Sequence, residues 1–102
     1  HMAALAVVNG GLDAIIRPLA LEYAPTRVNA IAPGVIDTPY WDKLPAEARQ
    51  QMYQAAAQGV PAGRVGTADD TADAVLFLAG NSFITGVVLL VDGGRHLTPS
   101  LR

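Results

Sequence analysis

The run Val87-Val-Leu-Leu-Val91 is apolar at all five positions. A strand wetted on one face alternates polar and apolar residues. A strand without a polar position calls for cover on both faces, the environment found inside a parallel sheet. Asp92-Gly93-Gly94 ends the run with a turn signal, and a second short, mostly apolar segment, residues 27–32, is closed in the same way by Pro33-Gly34. Parallel neighbours need a long crossover, usually helical. The fold class implied is α/β: one right-handed βαβ unit of two parallel strands.

The segments around these strands read as helices. Over residues 3–24, Leu5, Val8, Leu12, Ile15 and Leu19 recur at helical spacing, with Ile16 and Tyr23 widening the stripe. Gly10-Gly11 and Pro18 weaken this long N-terminal helix from within, by about 1 kcal/mol per glycine and about 3 for the proline, so tertiary packing must hold it. A kink is expected between Ala14 and Pro18, and Pro25 is the stop. The stretch from Val35 to Gly66 is expected to be irregular apart from an amphipathic segment over residues 45–57, with Pro45 in its first turn. Thr67 is the N-cap candidate of a further helix, with Asp70 at the capping-box position, an apolar face of Thr71, Ala74, Val75 and Leu78, and Gly80-Asn81 as its end.

Two strands make a marginal sheet, and an unpaired apolar edge invites pairing with another copy. The partial fold is therefore expected to be completed by oligomerisation: a homodimer or higher oligomer, with sheet continued across the interface or long helices packed together. Composition agrees: of 102 residues, 51% are hydrophobic and 16% charged, so apolar surface is left to cover. One domain over residues 3–94 is expected, with His1-Met2 as a cloning vestige and start methionine and residues 95–102 as a loosely held tail. The net charge of −2 supplies no basic footprint for nucleic acid. No uninterrupted apolar run approaches membrane-spanning length. The absence of cysteine excludes disulfides and thiolate chemistry, and a cytoplasmic, membrane-free protein is the expectation.

Several polar residues invite a functional reading, each with a plainer counterpart. Asp69, Asp70 and Asp73 cluster as carboxylate ligands would, but acids at a helix start serve the dipole and the cap; no metal site is assigned. His96 is read as a solvated tail histidine and Asn29 as structural. Tyr53 has only Arg49 at helical spacing and is a poor acid. Tyr40-Trp41, in the loop, either line a small-molecule pocket or cover exposed core or a subunit contact.

In chain order, Leu21-Glu-Tyr-Ala-Pro25, Arg27-Val-Asn-Ala-Ile-Ala-Pro-Gly34, Ile36-Asp-Thr-Pro39, Gly63-Arg-Val-Gly66, residues 72–79, Ile84-Thr-Gly86 and Val91-Asp-Gly-Gly94 resemble the C-terminal part of a short-chain dehydrogenase/reductase. The resemblance implies part of a doubly wound Rossmann fold and an oxidoreductase that uses NAD or NADP. It also implies a catalytic Tyr-x-x-x-Lys, a phenol whose pKa is lowered by a nearby ammonium. Counted back from the Leu-Glu-Tyr-Ala-Pro motif, that tyrosine falls on Leu5 and the lysine on Asn9, so no catalytic residue is carried over. No glycine-rich phosphate turn is present, because Gly59, Gly63 and Gly66 have the wrong spacing and follow no strand. Pro33, Gly34, Ile36 and Thr38 match the turn that touches the nicotinamide end, and Tyr40 and Trp41 match the substrate loop. The chain is thus expected to be a truncated, catalytically silent relative that binds no cofactor by itself. The alternatives are a non-catalytic homo-oligomeric interaction module or a small-ligand binder.

Overall fold

The computed structural model describes residues 2–98. His1 and residues 99–102, on which part of the vestige and tail expectations falls, lie outside the described residues. Helix α1 (Met2–Glu22) leads to strand β1 (Ala30–Pro33), then to a two-residue strand β2 (Ile36–Asp37) and a 3₁₀ turn (Pro39–Lys43). Helix α2 (Ala46–Gln58), strand β3 (Gly66–Thr67), helix α3 (Ala68–Gly80), strand β4 (Val88–Val91) and a second 3₁₀ turn (Arg95–Leu97) follow.

The two apolar segments are parallel neighbours, with Ala30 opposite Val88 and Pro33 opposite Val91. The chain therefore carries a partial Rossmann-like sheet with its crossover helices. The stretch expected to be irregular contains a second parallel pairing, Ile36 with Gly66 and Asp37 with Thr67. At Gly66 a Cβ would stand 2.5 Å from Ile36 Cδ1, so a side chain there would push the Ile36 methyl aside.

Strand β1 starts at Ala30 rather than at Arg27, because the preceding residues spend their polar groups on other elements. The Arg27 guanidinium donates to the carbonyls of Leu78 (2.7 Å), Ala79 (3.0 Å) and Ile84 (3.2 Å), stapling the C-terminal end of α3 beside the sheet. The Asn29 amide donates to the Ile84 carbonyl at 2.9 Å and accepts from the Val87 N–H at 3.1 Å, which bears out its structural reading. The Val28 N–H donates to Thr85 Oγ1 at 3.0 Å.

Helix α3 begins as its sequence dictates. Thr67 Oγ1 accepts from the Asp70 N–H at 3.2 Å, and Asp70 Oδ2 accepts from the Thr67 N–H at 2.7 Å, a complete capping box. Pro45 sits at the N-cap of α2, one place before its first turn. Helix α1 runs through Pro18 and ends at Glu22, with Tyr23 and Ala24 in the turn that follows.

Burial is sparse. Among the described residues only Ala20 and Leu78 are buried hydrophobics. Helix α1 is seated near its C-terminal end, where Ala20 Cβ would lie 3.6 Å from a Cβ at Gly86, while Leu5, Val8 and Leu12 are exposed. The expectation that both faces of β4 are covered is corrected: Leu90 is 47% exposed, because neither face of this two-stranded sheet is fully shielded by helix. The second 3₁₀ turn is likewise ordered where a loose tail was expected, for a reason that belongs to the site below.

Candidate functional site

The loop that leaves β1 is shaped by one close approach. A Cβ on Gly34 would stand 2.8 Å from Asp92 Cα, so only glycine lets the carboxyl ends of β1 and β4 meet. Its N–H donates to the Val91 carbonyl at 3.0 Å, extending the ladder. Beyond it, the Trp41 indole N–H donates to the Ile36 carbonyl at 3.0 Å, which folds the Pro39–Lys43 turn back over the loop.

The result is a cleft of about 380 Å³ at the carboxyl end of the sheet. Pro33, Gly34, Ile36, Thr38, Tyr40 and Trp41, spread over the first strand end and the loop, all line it. Ala68 and Thr71 close it from the first turns of α3. Ligands of open α/β sheets bind at this end of the strands.

Two hydroxyls at this cleft are uncommitted. Thr38 precedes the 3₁₀ turn without capping it through its side chain, and Thr71 Oγ1 is buried with no hydrogen-bond partner among the described residues. An orphaned buried hydroxyl forfeits about 1–3 kcal/mol, and such groups are rare enough to need an explanation. Thr71 was legible only as part of an apolar helix face. A hydroxyl where the stripe calls for an aliphatic residue was the signal available.

Tyr40 and Trp41 pack edge to face, with ring centroids 4.9 Å apart. The Lys43 ammonium stands 3.6 Å from the centre of the Tyr40 ring and holds that phenol below its ordinary pKa. Tyr53 is the opposite case. Desolvation and its donated hydrogen bond to Asp37 Oδ1 (2.8 Å) raise its pKa, so it braces α2 against β2. Leu5 and Asn9 lie four residues apart on exposed α1, and neither lines this cleft.

A second cleft, of about 390 Å³, lies on the other side of the loop and is walled by Arg64, Asp70, Asp92 and His96. Here the charges are already satisfied within the chain. Arg64 grips Asp70 in bidentate fashion at 2.7 and 3.0 Å, which keeps that carboxyl far below the usual carboxylate range. Asp92 accepts from the N–H groups of Gly94 and His96 at 2.9 Å each, and from His96 Nδ1–H at 3.0 Å. His96 remains exposed, as its reading has it, and in addition clasps Asp92 to close the second 3₁₀ turn.

Comparison with known proteins agrees with this architecture. A family model described as enoyl-(acyl carrier protein) reductase matches residues 1–96. The chain is 40% identical to 3beta-hydroxysteroid dehydrogenase 1 of Eggerthella lenta over 108 aligned residues, covering 100% of this chain and 40% of the relative. Among solved structures, a small-chain dehydrogenase in complex with NADPH superposes with a TM-score of 0.86 at 44% identity, covering 90% of this chain and 42% of that one. An NADPH-bound short-chain oxidoreductase of Pseudomonas aeruginosa PAO1 with an atypical catalytic center gives 0.75 at 32%, covering 92% and 39%.

The chain belongs to the short-chain dehydrogenase/reductase family, an oxidoreductase family whose members use NAD or NADP. It spans about two fifths of the length of these relatives. By length and composition alone α1 meets the requirement for a membrane-crossing helix, with a mean hydropathy of 1.4 in an 18-residue window. The family match takes in that helix along with the rest of the α/β unit.

Proposed function

We propose that the Pro33–Thr71 cleft receives the nicotinamide end of NAD or NADP in an oxidoreductase that interconverts a carbonyl and an alcohol. The observation that carries this reading is the pair of uncommitted hydroxyls, Thr38 and Thr71, at one cleft. A carboxamide has one acceptor and two donor hydrogens, and each hydroxyl both donates and accepts, so the two are complementary. The nicotinamide, when bound, supplies or takes up a hydride. The residues of this chain orient its ring: Pro33 and Gly34 by shape, Thr38 and Thr71 by hydrogen bonding. Trp41 fixes the loop through Ile36.

The remainder of a dinucleotide finds no counterpart in these 102 residues, whose glycines form no phosphate turn. A few net hydrogen bonds of about 1 kcal/mol each give millimolar rather than micromolar affinity. The chain by itself is thus silent at micromolar NADH or NADPH, and Leu5 and Asn9 contribute neither a proton nor a charge. The test is calorimetric titration with nicotinamide mononucleotide and, separately, with adenosine diphosphate. Binding of the first at millimolar concentration without the second is the expected result; equal binding of both, or of neither, contradicts the reading.

A second reading concerns assembly, and the exposed apolar side chains of α1, together with Leu76, Phe77 and Phe83 near the end of α3, favour it. Large apolar side chains exposed in this number call for cover by another surface. We infer a homodimer or higher oligomer in the cytoplasm, with α1 serving as a domain helix and not as a membrane span. Sedimentation equilibrium should show a dimer or larger at micromolar concentration, and a folded monomer overturns the inference.

A further inference from the structure

The only lysine of the chain stands against aromatic rings rather than against an acid. Lys43 forms no ion pair among the described residues, although the chain has nine acidic residues to seven basic ones. Asp42, beside it in sequence, is paired instead with Arg49 of α2. In a 3₁₀ turn the side chains at i and i+3 eclipse, so the Pro39–Lys43 turn brings the lysine back over Tyr40. Its ammonium lies 3.6 Å from the centre of the Tyr40 ring and 5.9 Å from that of Trp41. The two rings are 4.9 Å apart and inclined at 86°, and these three separations make nearly a right angle at the Tyr40 centre. The cation therefore stands on the face of Tyr40, with Trp41 at the rim of that ring. Trp41 is held in place by the hydrogen bond from its indole to the Ile36 carbonyl, at 3.0 Å. Two rings set in this way are the corner of an aromatic cage, the arrangement that recognises methylated ammonium groups.

We propose that Tyr40 and Trp41 form a binding site for a small molecule with a methylated ammonium head, and that the Lys43 ammonium is the stand-in which this ligand displaces. This goes beyond the nicotinamide reading and does not rest on it. Displacement is favoured by hydration. A lysine ammonium is a compact, strongly hydrated charge on a flexible stem, and Lys43 is exposed, so water reclaims the ammonium when it leaves the ring. Methyl groups keep the charge of an ammonium while shedding most of its hydration, so a methylated head loses less on meeting an aromatic face. Tyr40 is 65% exposed, which leaves its ring open to a ligand from solution. The face of the ring carries the interaction, and its hydroxyl has no part in it. Both rings also line the Pro33–Thr71 cleft of about 380 Å³, within the size range of small-molecule sites, which favours a free ligand over a lipid surface.

The test uses the whole chain and the fluorescence of Trp41, its only tryptophan. Choline, added at constant ionic strength, should change that emission saturably in the millimolar range. Dimethylbutanol, in which a carbon replaces the choline nitrogen, should leave it unchanged; this comparison needs no variant. Tyr40→Phe keeps the ring and should keep the affinity, whereas Tyr40→Leu should weaken choline binding about fivefold. Lys43→Gln removes the competing cation and should tighten it severalfold. An equal response to the neutral analogue, no saturable response to choline, or an affinity not raised by Lys43→Gln overturns the site. A response to phosphatidylcholine vesicles without one to free choline overturns the small-molecule class. Mononucleotide binding is measured separately, so either reading can fail while the other stands.

Discussion

The two clefts on either side of the β1 loop have nearly the same volume, yet their polar groups are in opposite states. In the Arg64–His96 cleft every charge meets a partner from the same chain: Arg64 with Asp70, and Asp92 with His96 and two backbone N–H groups. In the Pro33–Thr71 cleft a buried hydroxyl has no partner and a phenol is biased toward ionisation. Cleft size therefore carries no information about function here. Unfilled hydrogen-bonding capacity does, because folding tolerates a buried orphan only where something else satisfies it.

Gly34 lines the Pro33–Thr71 cleft and packs directly against Asp92, which walls the other, so its replacement should have the largest effect. Gly34→Ala puts a methyl 2.8 Å from Asp92 Cα, a clash with backbone that cannot swing aside. A loss of about 2 kcal/mol of stability is expected in urea unfolding, together with weaker nicotinamide mononucleotide binding.

Smaller changes separate the clefts. Thr67→Ala removes the N-cap of α3 and should cost about 1 kcal/mol while leaving mononucleotide affinity unaltered. Thr71→Val should act with the opposite sign on stability. The orphan hydroxyl is replaced by a methyl of the same shape, so the free protein gains about 1 kcal/mol, and mononucleotide affinity falls several-fold by calorimetry. If Thr71→Val destabilises the chain and binding is unchanged, the hydroxyl is a packing element and the contrast collapses.

Acid should distinguish the clefts most subtly. Arg64 depresses the Asp70 pKa in the folded chain. The stability it contributes is full above the ordinary carboxylate value of about 3.9 and fades as pH falls through the lower folded value. A stability profile should be flat from neutrality down to about pH 5 and then decline, and Asp70→Asn should flatten that decline.

Much of this was legible in the sequence wherever the determinants are local. The capping box at Thr67 and Asp70, the stop at Gly80-Asn81 and the existence of strand β4 emerge as read, because each depends on neighbours along the chain, whereas the cover expected on both faces of β4 does not. The six residues proposed for the cofactor and substrate loop do converge on one cleft. What local reading missed has a common physical origin. The Arg27 staple joins residues 51 to 57 positions apart, the β2–β3 pairing is two residues long, and the His96–Asp92 clasp depends on how the turn closes. Thr71 gains meaning only once α3 and the 3₁₀ turn meet at one cleft, and Lys43 only once the turn sets it against the Tyr40 ring.

The most direct test of the cleft assignment is amide chemical-shift mapping of the labelled chain during titration with nicotinamide mononucleotide. Shifts concentrated at Gly34, Ile36, Thr38 and Thr71, with Arg64, Asp92 and His96 unmoved, are the predicted result. Shifts centred on Arg64, Asp92 and His96, or an unchanged spectrum at saturating concentration, would contradict it.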